Sequence, residues 1–178
     1  MYNIYLFNEY EQLSDEFIES ALEILPEERR HKALRYRRKI DMQNCVITYL
    51  LLKYALHDCF GINSFQLSYG KYGKPYLREY PNIGFSFSHC DIACVVAISD
   101  CPIGVDIQDI RPFSWDIANQ VCSQRELIEL GKSQDKGRLF TKMWVIKESY
   151  VKMLGIGIAY DLKCLDTTNL LQGIINVL

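Results

Sequence analysis

A segment from residue 138 to residue 154 has the spacing of an amphipathic helix, but charged residues lie beside its apolar stripe. The stripe repeats every three or four positions, which predicts one face packed on a core; its members are Phe140, Met143, Trp144, Val151 and Leu154. Trp144, Glu148 and Lys152 follow at intervals of four residues and share one line along the helix. This line is either an exposed Glu-to-Lys pair or one wall of a binding site. Lys147 lies close to the apolar seam and is harder to explain by exposure.

Asp106 interrupts a short run at 103–107 whose β-branched residues predict a buried strand. A carboxylate there needs a hydrogen bond to a neighbouring loop or a cation, because an unpaired buried charge is costly. If Asp106 and Glu148 converge, they leave open positions on a hard cation, as Mg²⁺ requires when substrate phosphates complete its octahedron. Gln108, on the same face of the strand, adds only a neutral carbonyl oxygen.

Polar side chains also end a predicted strand at 84–88. Strand alternation points Ser88 away from the neighbouring phenylalanines, so Ser88 and His89 at the strand end can donate hydrogen bonds to an anion. Taken alone, His89 is more typical of a structural histidine. A zinc site is a further alternative without the usual Cys-x-x-Cys spacing; its members would be His89, Cys90, Cys94 and Cys101. The turn at 72–75 is a tight turn whose backbone is also suited to line a purine ring.

The order of the elements predicts an α+β fold. The first half has predicted strands at 2–7, 65–69, 84–88 and 92–99 and helices at 14–23, 26–38 and 40–60. The second half has a predicted strand at 102–108, helices at 114–120, 123–130 and 138–154, and strand-like runs at 161–167 and 172–178. We therefore expect two similar α/β halves, residues 1–100 and 101–178, related by pseudo-twofold symmetry, with the active site in the cleft between them. The second half would be truncated, and the apolar residues 174–178 predict an exposed sheet edge that self-associates.

Seven of the 20 lysines and arginines lie between residues 29 and 39, which contain no acidic residue. Such a patch is typical of a solvated helix face, or of a site for phosphate or nucleic acid. The chain begins without the features of a signal peptide and has no apolar run of membrane-spanning length. Its seven cysteines are scattered, which is typical of a reducing compartment. We expect a cytoplasmic protein with free thiols and no membrane partner.

Four motifs occur in order over nearly the whole chain; they are Gly73-Lys74-Pro75, Phe85-Ser86-Phe87-Ser88-His89, Ile103-Gly104-Val105-Asp106 and Trp144-x-x-Lys147-Glu148-Ser149-x-x-Lys152-x-x-Gly155-x-Gly157. Together they resemble the 4′-phosphopantetheinyl transferases, specifically the two-half type that activates surfactin synthetase (the Sfp type). The resemblance implies a holo-carrier-protein synthase that needs Mg²⁺. Such an enzyme moves the 4′-phosphopantetheine arm of coenzyme A to a serine of an apo acyl or peptidyl carrier protein, and releases 3′,5′-ADP.

The resemblance also implies metal-binding and catalytic roles for residues of the second half. Asp106 and Glu148 would hold Mg²⁺ on the pyrophosphate, with Gln108 as a third, neutral ligand. Glu148 is the expected general base, acting directly or through water. Lys152 would neutralise the leaving oxygen, while Lys147 would position Glu148 or stabilise the leaving group.

For coenzyme A, the resemblance implies contacts mainly from the first half. Lys152, Ser88 and His89 would contact the pyrophosphate oxygens. Arg29 and Lys32 would bind the 3′-phosphate together with His89. The loop of the first motif, Gly73, Lys74 and Pro75, would meet adenine mainly through its backbone.

Two other classes of function are open alternatives. Many relatives carry Glu two residues after the strand aspartate, where this chain has Gln108, which implies weaker metal binding or a water in that place. A catalytically impaired coenzyme A-binding regulator is therefore the first alternative. A nucleic-acid-binding module built on residues 29–39 is the second, and it ranks last because Tyr36 is the only aromatic residue within the patch. We expect no nucleic-acid partner.

Overall fold

A three-stranded antiparallel sheet forms the centre of the computed structural model, which describes residues 1–157 and 160–171. Strand β5 lies between β1 and β4 in this sheet. The strands among the described residues are β1 (Tyr2–Phe7), β2 (Leu67–Tyr69), β3 (Pro75–Leu77), β4 (Gly84–His89) and β5 (Cys94–Ser99). Every residue of β5 is buried. A turn at 90–93 joins β4 to β5 and is closed by a 2.8 Å hydrogen bond from the Cys90 N–H to the Ala93 carbonyl. The predicted hairpin is thus confirmed.

Helix α3 (Lys39–Phe60) covers this sheet, and α1 (Asp15–Ile24) and α2 (Glu27–Leu34) pack against α3. Helix α3 packs against β5, and its buried residues form one core with those of the sheet. It ends at Gly61, whose φ of +67° favours glycine. Helix α2 ends before the predicted boundary at 38, because residues 35–38 are exposed and make no core contact that would extend the helix.

Strands β2 and β3 form a separate antiparallel hairpin in which Leu67 lies opposite Leu77. The connecting turn contains Gly73, with a φ of +81°. The Gly73 N–H donates to the Gly70 carbonyl, and the Gly70 N–H donates to the Lys74 carbonyl. Sequence reasoning missed β3, because a three-residue strand that begins with proline has no recognisable alternation.

The later part of the chain adds α4 (Trp115–Val121), α5 (Gln124–Lys132) and α6 (Lys136–Leu154). They enclose a second, smaller core formed by Ala118, Cys122, Leu130 and Met143. Helix α5 begins with a capping box in which Ser123 accepts from the Glu126 N–H while the Glu126 side chain accepts from the Ser123 N–H. Helix α6 matches the predicted helix to within two residues.

Two predicted strands are wrong. Residues 102–108 are extended but make no regular strand, and residues 161–167 contain a 3₁₀ turn at Leu162–Cys164 instead. The segment 102–108 passes between the sheet and α6 so closely that a Cβ built on Gly104 would lie 1.9 Å from the Ser149 carbonyl oxygen. Apolar spacing alone does not distinguish such an extended segment from a strand.

The mixture of helices and strands confirms the α+β class, whereas the pseudo-twofold halves and the truncation stay predictions. The predicted strand at 172–178, with its self-associating edge, lies outside the described residues. Within the described ranges, no helix combines the length and the apolar character needed to cross a bilayer.

Candidate active site

A cleft runs between the β2–β3 turn, strand β4 and helix α6. One part has a volume of about 490 Å³, and its walls include the 72–75 turn, Phe85, Trp144 and Leu162. A neighbouring part of about 360 Å³ is lined by Ser88, His89, Asp106, Gln108 and other residues. Both parts are lined by Phe87, Trp144, Glu148 and Lys152. The line of three residues on α6 is therefore a wall of a cleft and not an exposed pair.

Lys152 joins α6 to the opposite wall of the cleft. Its ammonium lies 2.5 Å from Asp106 Oδ1 and donates to Ser88 Oγ at 2.8 Å. The Ser88 hydroxyl in turn lies 2.7 Å from the same Asp106 oxygen. The Asp106 side chain is 7% exposed and that of Lys152 is 31% exposed. A nearly buried carboxylate thus has a charged partner, as its position in an apolar run requires.

Glu148 is half-buried one helical turn before Lys152. Burial raises the pKa of the Glu148 carboxyl, the charge of Asp106 raises it further, and Lys152 partly offsets both effects. The negative charge of Asp106 beside Glu148 favours a cation or a proton at the Glu148 carboxyl. The side chain of Gln108 adds an amide to the same part of the cleft.

This donor set fits a hard divalent cation. Asp106, Glu148 and Gln108 line one cavity and offer two carboxylates and one carbonyl oxygen, which is the ligand chemistry of Mg²⁺ in sites completed by phosphate. Among residues 1–157 and 160–171, no group of three or more His, Cys, Asp and Glu side chains is arranged to hold a metal. With only two carboxylates, this part of the cleft leaves coordination positions for a substrate.

His89 lies at the end of β4 in the same cavity. Burial lowers the pKa of His89, and the positive charges of Lys152, Arg29 and Lys32 lower it further, with Asp41 acting in the opposite sense. The cluster of four cationic or potentially cationic groups thus defines an electropositive region. A neutral imidazole here can donate or accept a hydrogen bond.

Arg29 is held in place by aromatic rings and a backbone carbonyl. Its guanidinium lies 5.4 Å from the Tyr49 ring centroid and 5.6 Å from that of Phe87, and donates to the Cys45 carbonyl at 3.1 Å. Phe87 lines the main cleft, while Arg29 and Lys32 line an adjoining cavity of about 320 Å³. The structure therefore brings α2 and the end of β4 together around this positive region.

The side chain of Lys74 makes a contact with α6 that was not predicted from the sequence. Its ammonium donates to the Met153 carbonyl at 2.7 Å, and burial lowers its pKa. A Cβ on Gly155 would lie 2.8 Å from the Lys74 side chain, so glycine is required for this approach. Lys74 thereby fixes the 72–75 turn to the C-terminal end of α6, while Gly73 and Pro75 line the cleft beside it.

Lys147 is not where the sequence analysis expected it. The side chain is fully buried, and its ammonium lies 2.9 Å from Glu126 Oε2 and donates to the Leu162 carbonyl at 2.7 Å. It also donates to the Leu165 carbonyl. These contacts correct the expectation that Lys147 acts on Glu148 or on a leaving group, because adjacent residues of a helix point to different sides.

The cysteines and the basic patch have simpler explanations. All seven cysteines are free, as expected. Cys90 and Cys94 are buried, and no group of His, Cys, Asp and Glu side chains among the described residues is arranged to hold a zinc ion.

Within the basic patch at 29–39, three residues form ion pairs: Arg30 with Glu23, Arg38 with Asp91, and Lys39 with Asp15. Part of the positive charge is therefore neutralised within the fold.

Two family models divide the chain between them. The model described as "4′-phosphopantetheinyl transferase, N-terminal" matches residues 10–101, and the model described as "4′-phosphopantetheinyl transferase superfamily" matches residues 102–177. The chain belongs to the 4′-phosphopantetheinyl transferase superfamily. The resemblance inferred from the four motifs is thus confirmed.

Individual relatives are similar to most of the chain. A 4′-phosphopantetheinyl transferase of Bacillus subtilis is 33% identical over 139 residues, which are 76% of this chain and 62% of the relative. The 4′-phosphopantetheinyl transferase psf-1 of Bacillus pumilus is 30% identical over 139 residues, 76% of this chain and 60% of the relative. The 4′-phosphopantetheinyl transferase Sfp of Bacillus subtilis (strain 168) is 28% identical over 166 residues, 91% of this chain and 73% of the relative. The chain spans about three fifths of the length of the first two.

Proposed function

We propose that this protein transfers the 4′-phosphopantetheine arm of coenzyme A to a serine of an apo carrier protein and releases 3′,5′-ADP. The observation that carries the proposal is the convergence of Asp106, Glu148 and Lys152 in one cleft. The relatives that the chain resembles are named 4′-phosphopantetheinyl transferases. The cleft lies where residues matched by one family model meet residues matched by the other.

The shape and charge of the cleft support a place for each part of coenzyme A. Lys152, Ser88 and His89 would bind the pyrophosphate oxygens, since they lie together at the polar part of the cleft. Arg29 and Lys32 would bind the 3′-phosphate beside His89. The backbone of the 72–75 turn would contact adenine, because this turn lines the larger and more apolar part.

In the reaction, the serine oxygen forms a bond to the β-phosphorus, the one that carries the pantetheine arm. The bond from that phosphorus to the bridging oxygen breaks, and 3′,5′-ADP leaves with the electron pair. Glu148 takes the serine proton directly or through water, a role that its raised pKa favours. Lys152 neutralises charge on the leaving oxygen. Asp106, Glu148 and the Gln108 carbonyl would hold Mg²⁺, which would supply further charge neutralisation on the pyrophosphate.

A second candidate function is a coenzyme A-binding regulator without turnover. It is favoured by Gln108, a neutral residue that lines the cavity at the position where the family resemblance implies a third carboxylate. Such a protein would retain the affinity for coenzyme A but transfer nothing. The same cavity thus supports two functions of different class.

Mass spectrometry of the acceptor distinguishes them. The protein is incubated with Mg²⁺, coenzyme A and several apo acyl and peptidyl carrier proteins, and each carrier is weighed. We expect one carrier or more to gain the mass of a single phosphopantetheine group. Binding of coenzyme A by calorimetry without any gain in mass would favour the regulator, and neither binding nor gain would remove both.

A further inference from the structure

An irregular segment beside α6, residues 160–167, contributes to one wall of the cleft, and we call it the strap. Tyr160 and Leu162 of the strap line the larger part of the cleft. Apart from the 3₁₀ turn at Leu162–Cys164, the strap has no regular secondary structure. Backbone hydrogen bonds of a helix or sheet therefore do not hold most of this wall, and other groups must do so.

Two charged side chains of neighbouring helices form hydrogen bonds to the strap. Lys147 of α6 donates to the carbonyls of Leu162 and Leu165. Glu126 of α5 accepts from the Thr167 N–H at 2.9 Å and from its hydroxyl at 2.5 Å. The strap is thus bonded at three positions along its length to a single ion pair.

The ion pair of Lys147 and Glu126 contributes to the position of the strap more than to the net stability of the fold. Lys147 and Glu126 lie 2.9 Å apart and both side chains are 0% exposed. Burying two charges costs desolvation that their attraction commonly only offsets, so a hydrophobic pair of the same size is often as stable. What a hydrophobic pair lacks is donors and acceptors for the backbone of the strap. The Ser123 N–H also donates to Glu126, at 2.7 Å, which fixes that carboxylate on the first turn of α5.

We infer that Lys147 and Glu126 are positioning residues that clamp the strap as the outer wall of the cleft, and so set the affinity for coenzyme A. This inference rests on the proposed function. Neither residue touches the substrate. Each acts through the strap, whose Leu162 and Tyr160 line the same cavity as Trp144 and Glu148.

The test compares a double variant with a single one. Lys147→Met alone leaves the Glu126 carboxylate buried without its partner and endangers folding. The combined variant K147M/E126Q removes both charges, keeps similar volumes and leaves the strap carbonyls without their donor. Lys163→Met, an exposed strap position, serves as the matched control for the loss of one lysine.

Three readouts are measured on the full chain. Thermal melting establishes that the double variant folds. Hydrogen exchange followed by mass spectrometry reports the strap, where we expect faster exchange in residues 160–167 and unchanged exchange in α3. Calorimetry and steady-state kinetics are expected to show about tenfold weaker binding of coenzyme A and a raised KM for it, with the KM for the carrier unchanged. The K163M control keeps wild-type values.

A folded double variant with wild-type strap exchange and wild-type affinity for coenzyme A would overturn the clamp. Equal losses in the K163M control would also overturn it, because the effect would then follow charge alone. If the wild-type protein binds no coenzyme A, the proposed function fails. The exchange measurement then still decides whether Lys147 and Glu126 hold the strap.

Discussion

The ammonium of Lys152 lies 2.5 Å from a carboxylate oxygen of Asp106 and connects the two walls of the cleft. This contact gives the extended segment at 102–108 a fixed position relative to α6. Gly104, two residues earlier, lets the backbone of that segment approach the backbone of α6 at Ser149 and Met153. The pair is thus held in place by main-chain packing as well as by charge.

Replacing Asp106 by Asn is expected to reduce transfer by about 100-fold or more. The variant keeps the shape of the side chain but removes the charge that pairs with Lys152 and that would hold the cation. Steady-state rates of holo-carrier formation, with circular dichroism to establish folding, provide the measurement. Asp116→Asn, an exposed change on α4, is the control and should retain full activity. A fully active D106N variant would remove Asp106 from the site.

Replacing Glu148 by Gln is expected to change the pH dependence of stability in buffer that contains a chelator. Burial and Asp106 raise the folded-state pKa of Glu148 above its ordinary value of 4.5. The stabilising contribution of the protonated carboxyl is therefore present below pH 4.5 and is lost as the pH rises through the raised pKa. The neutral amide of the E148Q variant imitates the protonated carboxyl, so this variant should melt at a higher temperature than the wild type at neutral pH.

The difference between the two melting temperatures should shrink as the pH falls towards 4.5. Glu19→Gln, an exposed change on α1, controls for the loss of one negative charge. Parallel melting curves for wild type and E148Q across this pH range would show that the carboxyl is not perturbed in solution.

Replacing Gln108 by Glu is expected to tighten metal binding. The side chain lines the same part of the cleft as Asp106 and Glu148, so a third carboxylate adds negative charge where the proposed cation would lie. Calorimetric titration of Mg²⁺ in the presence of coenzyme A should give about tenfold higher affinity. Gln120→Glu, an exposed change on α4, introduces the same charge away from the cleft and should leave the affinity unchanged. Equal affinities for Q108E and wild type would place the cation elsewhere.

Replacing Gly104 by Ala is expected to destabilise the fold by about 1–3 kcal/mol or more, because the added Cβ would overlap the Ser149 carbonyl at 1.9 Å. Gly131 on α5 is the matched control, since nothing lies within 4 Å of its Cβ position. Gly131→Ala should stabilise by about 0.5–1 kcal/mol through helix propensity. Chemical denaturation measures both free energies of unfolding. A G104A variant as stable as the wild type would contradict the close packing of this segment on α6.

Sequence reasoning predicted the parts that depend on local patterns. The boundaries of α3 and α6 follow from helical spacing and from terminal glycines, and the β4–β5 hairpin follows from two short β-prone runs with a polar turn. The convergence of Asp106, Glu148 and Lys152 was expected only by resemblance. Local sequence patterns do not predict the distance between two residues that lie more than 40 positions apart in the chain, such as Asp106 and Lys152.

The partner of Lys147 shows where local patterns fail. Glu126 was not singled out from the sequence, and its Ser-x-x-Glu pattern at the start of α5 by itself predicts only a capping box. The structure adds a second use of the same carboxylate, which pairs with Lys147 from a different helix. The position of Lys147 close to the apolar seam was the one available signal, and it was interpreted as functional, whereas the structure gives this lysine a buried partner.

The most direct test of the proposed function measures two products in one reaction. Purified protein, Mg²⁺, coenzyme A and an apo carrier are mixed, and 3′,5′-ADP and holo-carrier are quantified together by chromatography and mass spectrometry. We predict equal amounts of the two products in the presence of Mg²⁺ and neither product when a chelator is added. Release of 3′,5′-ADP without modified carrier, or equal yields with and without the metal, would contradict the proposed Mg²⁺-dependent transfer.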